Sequence, residues 1–299
     1  MSIFTGSAVA LVTPFNDNQV DFNALKKLIN WHIENKTDAI VICGTTGESS
    51  TMSDSERREV IKFTVNEVKN RIPVIAGSGT NNTGYSVELS KYCEEVGVDA
   101  LLVVTPYYNK ASEKGLLKHY KVIANSVNIP IILYNVPSRT GVNLTPEVVK
   151  SLSEIRNIVA IKEASGNISQ IAEIARICAE DFDIYSGNDD MIVPLLSLGG
   201  KGVISVVANI LPKDTHDIVE NYLSGNINTA RNLQLKMNGL INTLFIEVNP
   251  IPVKTAMNLM GMSAGELRLP LCDMTNVNLE NLIFQMKEYG IETEVNWFD

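Results

Sequence analysis

The feature that most constrains this chain is an alternation of apolar runs with helical patterns. The short apolar runs are SAVALV (7–12), DAIVIC (38–43), IPVIAG (72–77), DALLVV (99–104), IPIILY (129–134), NIVAIK (157–162), DIYSG (183–187) and GVISVVAN (202–209). They read as continuous hydrophobics rather than as in–out alternation, as expected of parallel strands covered on both faces. Between them lie amphipathic patterns with the helical period. DFNALKKLINWHIENK (21–36) is one. SDSERREVIKFTVNEVKNR (53–71) is another, and it opens with Ser53 and Glu56 at capping-box spacing. Thr145-Pro146-Glu147 starts a third, with a cap and a proline in the first turn. Eight such strands in strict alternation with helices predict an α/β fold, a (β/α)8 TIM barrel. A doubly wound open sheet is the competing arrangement. The lack of a Gly-x-Gly-x-x-Gly fingerprint after the first run weighs against it.

Beyond the eighth run the helical pattern continues in INTARNLQLKMNGLINTLFI (227–246), PVKTAMNLMG (252–261) and NLENLIFQMKEYG (278–290). That remainder is too short for a second large domain. The expected organisation is a barrel carrying the catalytic site over 1–225, with C-terminal helices packed on it over 226–299.

The chemistry available is bounded by composition. The net charge of -9 leaves no basic stripe for phosphates, which argues against nucleic acid and anionic membranes as partners. No stretch is apolar for the length of a membrane helix. The first fifteen residues hold no basic residue and are broken by Gly6 and Pro14, so they do not read as a signal peptide, and a cytoplasmic location is expected. Cys43, Cys93, Cys178 and Cys272 are widely spaced, without a CxxC pair. His32, His119 and His216 show no metal-ligand spacing and read as ordinary helix-face residues. Neither a metal nor a disulfide framework is suggested.

In a barrel of this kind, reactive residues stand at the C-terminal ends of strands. After the runs come GTTGES (44–49), GSGTNN (77–82), TPYYN (105–109), YNVPSRTG (134–141), KEASGN (162–167) and SGNDD (186–190). Lys162 ends an apolar strand, where an ammonium is costly to bury. One reading is a Schiff-base lysine whose amine is freed by burial. The other is a lysine that snorkels to the barrel mouth or pairs with Glu163. Position alone leaves both open. Tyr134, one strand away, is placed to hydrogen-bond Lys162, or else keeps its ring in the core and its hydroxyl in water. Thr45 and Thr46, between Gly44 and Gly47, present hydroxyls and backbone N–H groups to an anion, or form an ordinary turn. Arg139 suits a carboxylate, or is a solvated surface arginine.

Taken together, GTTGES, TPYYN, YNVPSRTG, IKEASGN, SGNDD and GVISVVAN resemble the dihydrodipicolinate synthase branch of the pyruvate-dependent class I aldolase family, which includes N-acetylneuraminate lyase. The resemblance runs from TPF (13–15) to NPIPVKTAMNLMG (249–261). It implies that Lys162 forms an imine with pyruvate, and that the derived enamine attacks aspartate 4-semialdehyde. It implies that Tyr134 moves protons through Thr45 and through Tyr108, which reaches in from a neighbouring subunit. Thr46, with Thr45, would hold the pyruvate carboxylate, Gly187 and the Ile204 carbonyl would line the pocket, and Arg139 would meet the semialdehyde carboxylate. The family implies no metal, no organic cofactor and a homotetramer built as a dimer of dimers.

Some members are inhibited by lysine at the dimer interface, and Ser49, Asn81 and Tyr107 match that effector pattern. Sensitive members place a glutamate where this chain has Tyr85, and often a histidine where it has Arg57. These departures imply weak or absent inhibition. Two other functions stay in view. A sugar-acid aldolase on the same scaffold needs hydroxyl partners rather than Arg139. A pyruvate-binding protein with a dead site would be expected only if Lys162 or Tyr134 were replaced.

Overall fold

The structure, a computed structural model, describes residues 2–293. Eight parallel strands close into one barrel. They are β1 (Gly6–Ala10), β2 (Ala39–Ile42), β3 (Val74–Gly77), β4 (Ala100–Val104), β5 (Ile131–Asn135), β6 (Ile158–Glu163), β7 (Asp183–Ser186) and β8 (Gly202–Ser205). Each strand pairs with the next in the chain, and β1 closes the ring against β8. This is the (β/α)8 TIM barrel that the alternation predicts.

The helical signals act where they stand. Ser53 and Glu56 form the reciprocal capping box of the helix Asp54–Val68. Thr145 caps Pro146–Ser153 through its side chain. Two details differ from the sequence reading. The last apolar run is only half strand, because Val207–Asn209 turns into a 3-10 helix. There the buried Asn209 amide donates to the Ala10 carbonyl and accepts from the Val12 N–H, closing the end of β1. A small hairpin, Phe15–Asn16 with Gln19–Val20, also follows β1, around Asp17 and Asn18 at positive φ.

Strand alternation sorts the side chains into two cores. Val9, Ile40, Ile42, Leu101, Val103, Leu133 and Ile161 face outward beneath the helices. Ala8, Ala10, Ala39, Val41, Ile75, Ala100, Ile132, Ala160 and Ile204 fill the interior. Many interior residues are small, as a barrel axis demands. Phe4 stacks on Tyr185 with ring centroids 4.3 Å apart and fills the end where β1 begins.

The C-terminal helix Ile227–Thr243 packs against Pro212–Leu223, and Asn276–Tyr289 packs against it in turn. The first of these is shorter than its apolar pattern suggests. After Thr243 the backbone shifts to i−3 bonding, at Phe245 N to Asn242 O and Ile246 N to Thr243 O, each 3.2 Å. Pro250 then biases Asn249 away from helical backbone. Residues 244–249 turn back over the barrel mouth. No helix of the described residues is long and apolar enough to cross a membrane.

The histidines are structural. His32 is fully buried, with Nδ1 3.0 Å from the Thr37 hydroxyl and no partner for Nε2. Burial pushes its pKa down to about 3. The unfolded chain protonates near pH 6.5 while the folded ring stays neutral, so stability is lost as pH falls from that point toward the folded value. At pH 4.5 His32 alone is expected to cost about 3 kcal/mol. His119, lowered to about 4, adds to the loss. His216 has the opposite sign. Its hydrogen bond to the Asp38 carboxylate, at 2.8 Å, raises its pKa, so that contribution is complete below pH 6.5 and is lost as pH rises through the folded value. Thermal melts from pH 7 to 4.5 should show a steep acid fall, and His32→Leu should flatten it. Equal slopes in both proteins would remove His32 from this account.

Candidate active site

Lys162 and Tyr134 face each other across neighbouring strands, paired in the β5–β6 register. Both point into the barrel, because Ala160 two residues earlier points inward and the side-chain period is two. Lys162 is 6% exposed and Tyr134 7%, so neither is a surface residue. The Lys162 Nζ lies 4.4 Å from the centre of the Tyr134 ring. Pairing with Glu163 is ruled out by the same alternation. Glu163 faces outward, and its carboxylate accepts from Asn135 Nδ2 (3.1 and 3.2 Å), the Ser165 N–H (2.8 Å) and Gln170 Nε2 (3.2 Å). These donors oppose the upward push that burial exerts on its pKa. Among the described residues no ion pair holds Lys162.

Gly187 stands beside the lysine stem. A Cβ there would come within 3.0 Å of Lys162 Cε and 2.6 Å of Ala164 Cβ, so any larger residue would displace the lysine. The next loop residue but one, Asp189, is buried, and its carboxylate accepts from the N–H groups of Val206 and Val207 at 3.0 and 2.8 Å. Burial raises its pKa.

Lys162 opens into a cavity of about 610 Å³ at the C-terminal mouth. Thr45, Thr46, Tyr134, Arg139 and Gly187 share its wall, so the structure brings together six of the residues singled out in the sequence. Thr46 is buried, and Asn249 Nδ2 donates to its hydroxyl at 3.0 Å. The Arg139 guanidinium donates to the Asn249 carbonyl at 3.2 Å, which holds an otherwise exposed side chain over the cavity. Ile204 lies within the barrel interior, and Val206 rather than Ile204 reaches the cavity wall.

Tyr108 is not brought to this cavity by its own chain. It is 90% exposed and sits at φ 71°, an uncommon backbone for a bulky residue. A second cavity of about 240 Å³ shares Thr45, Tyr134 and Arg139 with the first and is bounded by Ser49, Arg57 and Tyr107. Asn81 does not line it, and its carbonyl accepts from Asn109 instead.

Sequence reasoning missed the wall made by residues 245–249, which belong to the C-terminal segment rather than to 1–225. It also gave no role to Glu48 of the GTTGES turn. Glu48 adopts a left-handed backbone and forms a fully buried ion pair with Lys254, at 2.8 Å. Glu48 lies inside one quoted motif and Lys254 inside another, yet spacing could not show that they meet.

The assembled groups suit a carbonyl acid. A buried amine without a carboxylate partner can attack a ketone. Hydroxyls on a glycine-flanked turn and a guanidinium at the mouth can hold two carboxylates. A phenol beside the amine can carry protons.

Comparison with known proteins agrees with this chemistry. The dihydrodipicolinate synthetase family model matches residues 3–288. The chain is 62% identical over 291 residues to 4-hydroxy-tetrahydrodipicolinate synthase 1 of Clostridium acetobutylicum, covering 97% of this chain and 99% of that one. It superposes on the crystal structure of dihydrodipicolinate synthase from Aquifex aeolicus with a TM-score of 0.95 and 45% identity, over 98% and 100% of the two chains. A monomeric dihydrodipicolinate synthase variant is similar at 42% identity and a TM-score of 0.95, over 97% and 98%.

Proposed function

Since the chain belongs to the dihydrodipicolinate synthetase family, we propose that it condenses pyruvate with aspartate 4-semialdehyde to 4-hydroxy-tetrahydrodipicolinate, the branch-point step toward diaminopimelate and lysine. The observation that carries this is the Lys162 amine, buried beside the Tyr134 ring with no carboxylate at ion-pair distance among the described residues, opening into a cavity that also holds Thr45, Thr46 and Arg139.

In this account Lys162 attacks the pyruvate ketone, and water leaves as the imine forms. The protonated imine draws electrons from the methyl group, which loses a proton to give an enamine. The enamine carbon attacks the aldehyde carbon, whose oxygen takes a proton. The amine of the new chain then displaces Lys162 at the imine carbon and closes the ring. Thr45 and Thr46 hold the pyruvate carboxylate, and Arg139 holds that of the second substrate. Tyr134 passes protons through Thr45 to Tyr108 of a neighbouring copy. Covalent pyruvate on Lys162 then takes the place of a cofactor.

The exposed Tyr108 side chain, held out at positive φ, supports a dimer as the smallest complete unit, within a tetramer. A cytoplasmic location fits substrates of central metabolism. Steady-state condensation tests the function directly. A turnover of ~1–10³ s⁻¹ is expected. Failure of condensation with pyruvate still bound to Lys162 would move the assignment to a sugar-acid aldolase.

Regulation by lysine should be weak. In the smaller cavity Arg57 stands as a buried cation whose guanidinium donates to the Gly77 carbonyl and lies 5.7 Å from the Tyr85 ring. The nearby Asp54 carboxylate, which might have met an amino group, is taken by the Tyr85 hydroxyl at 2.6 Å and by Arg58 Nε at 2.7 Å. A cationic effector therefore meets a like charge, with no carboxylate among the residues that line this cavity. Activity should persist in millimolar lysine, and half-inhibition at submillimolar lysine would contradict this reading.

A further inference from the structure

The Glu48–Lys254 pair lies outside the cavity, but both of its ends are tied to the cavity wall. Lys254 is 1% exposed and donates three hydrogen bonds, to Glu48 Oε1 (2.8 Å), the Thr13 carbonyl (3.0 Å) and the Glu266 carbonyl (2.5 Å). The other Glu48 oxygen accepts from the Arg268 N–H at 3.2 Å. Every proton of the ammonium and both carboxylate oxygens are thus committed in a dry setting, the condition under which a buried ion pair holds a fixed geometry.

Two residues before Glu48 comes Thr46. Five residues before Lys254 comes Asn249, and the Lys254 N–H bonds the Pro250 carbonyl, so the lysine is joined to that segment within one helical turn. Asn249 Nδ2 donates to the Thr46 hydroxyl oxygen. With that oxygen occupied as acceptor, the hydroxyl proton is turned away from Asn249 and is left to donate elsewhere. The Asn249 carbonyl in turn receives Arg139.

We propose that Glu48 and Lys254 are positioning residues for the first substrate: their ion pair clamps the Thr46 turn to the Pro250 segment, and so sets Asn249 against Thr46 to present the hydroxyl as a donor to the pyruvate carboxylate. The proposal rests on the assignment of Thr46 to that carboxylate. It explains why the glutamate of the GTTGES turn is charged and buried although it touches no substrate. It also explains why a lysine stands in the helix Ile251–Leu259, whose other buried positions are all apolar.

The test is a double-mutant cycle read in KM for pyruvate. Lys254→Met in the full-length enzyme should raise that KM about tenfold with kcat within about threefold, as uniform loss of ground-state and transition-state binding predicts. Glu48→Gln/Lys254→Met leaves no unpaired charge, keeps the fold if the single variant does not, and should show the same rise. In a Thr46→Val background the additional effect of Lys254→Met should vanish, because the two act through one contact. Asn249→Ala should raise KM to the same extent and add nothing to Lys254→Met. Independent, multiplying effects of Lys254→Met and Thr46→Val would overturn the clamp, as would an unchanged KM in both charge variants. An unchanged KM in Thr46→Val alone would instead overturn the assignment of Thr46, and with it the basis of the proposal.

Discussion

Replacing Lys162 with methionine should abolish condensation, lowering turnover by at least about 10⁴-fold, because no other amine in the cavity wall can form the imine. Methionine keeps the unbranched stem that passes Gly187, so the packing around Lys162 Cε is preserved. The ammonium makes no ion pair among the described residues, so its removal orphans no carboxylate there at salt-bridge distance. The variant is therefore expected to fold and melt within a few degrees of the parent. Loss of activity with an unchanged melt is the predicted pair of results, checked by the coupled condensation assay and by calorimetry. Residual turnover within a hundredfold of the parent would show that the amine is not the nucleophile.

Tyr134→Phe is expected to lower turnover by roughly 10²–10⁴, the range for loss of a positioned acid or base. The ring is the part of Tyr134 that packs in the barrel interior and lies against the Lys162 ammonium, and phenylalanine retains it. Only the hydroxyl is lost. If Tyr134 were there for packing alone, the substitution would be nearly silent. Imine formation and the later proton transfers should both slow, so single-turnover traces with pyruvate should show a slower approach to the bound state as well as a lower kcat. An unchanged kcat would reduce Tyr134 to a wall residue.

These two residues were only half legible in the chain. A lysine that ends an apolar strand violates the ordinary cost of burying a charge, and such violations mark functional positions. The alternation of strand side chains says only that Lys162 and Glu163 face opposite ways, and the inward-facing Ala160 in the fold decides that Lys162 is the one inside. The barrel itself was legible because its signals are local: apolar runs of strand length, capping residues such as Ser53 and Thr145, and a fixed order of elements. What could not be read depends on segments distant in the chain. Glu48 and Lys254 are separated by 206 residues, and nothing in either neighbourhood predicts their ion pair. The wall at 245–249 was hidden for a related reason. Leu244, Phe245 and Ile246 continue an apolar helical pattern, and only the change to i−3 bonding ahead of Pro250 turns them over the barrel mouth. Tyr108 was singled out only through the family resemblance, because helix packing and an interface are equally open to a lone tyrosine, and its exposure is visible only in the fold.

The central claim is that Lys162 is held unpaired in the barrel so that its amine forms an imine with pyruvate. Reduction of the enzyme with borohydride in the presence of pyruvate, followed by peptide mass mapping, tests it most directly. A single pyruvate-dependent adduct on the peptide bearing Lys162, absent without pyruvate and absent in Lys162→Met, is the predicted result. An adduct on another lysine, or inactivation without any adduct, would contradict the account.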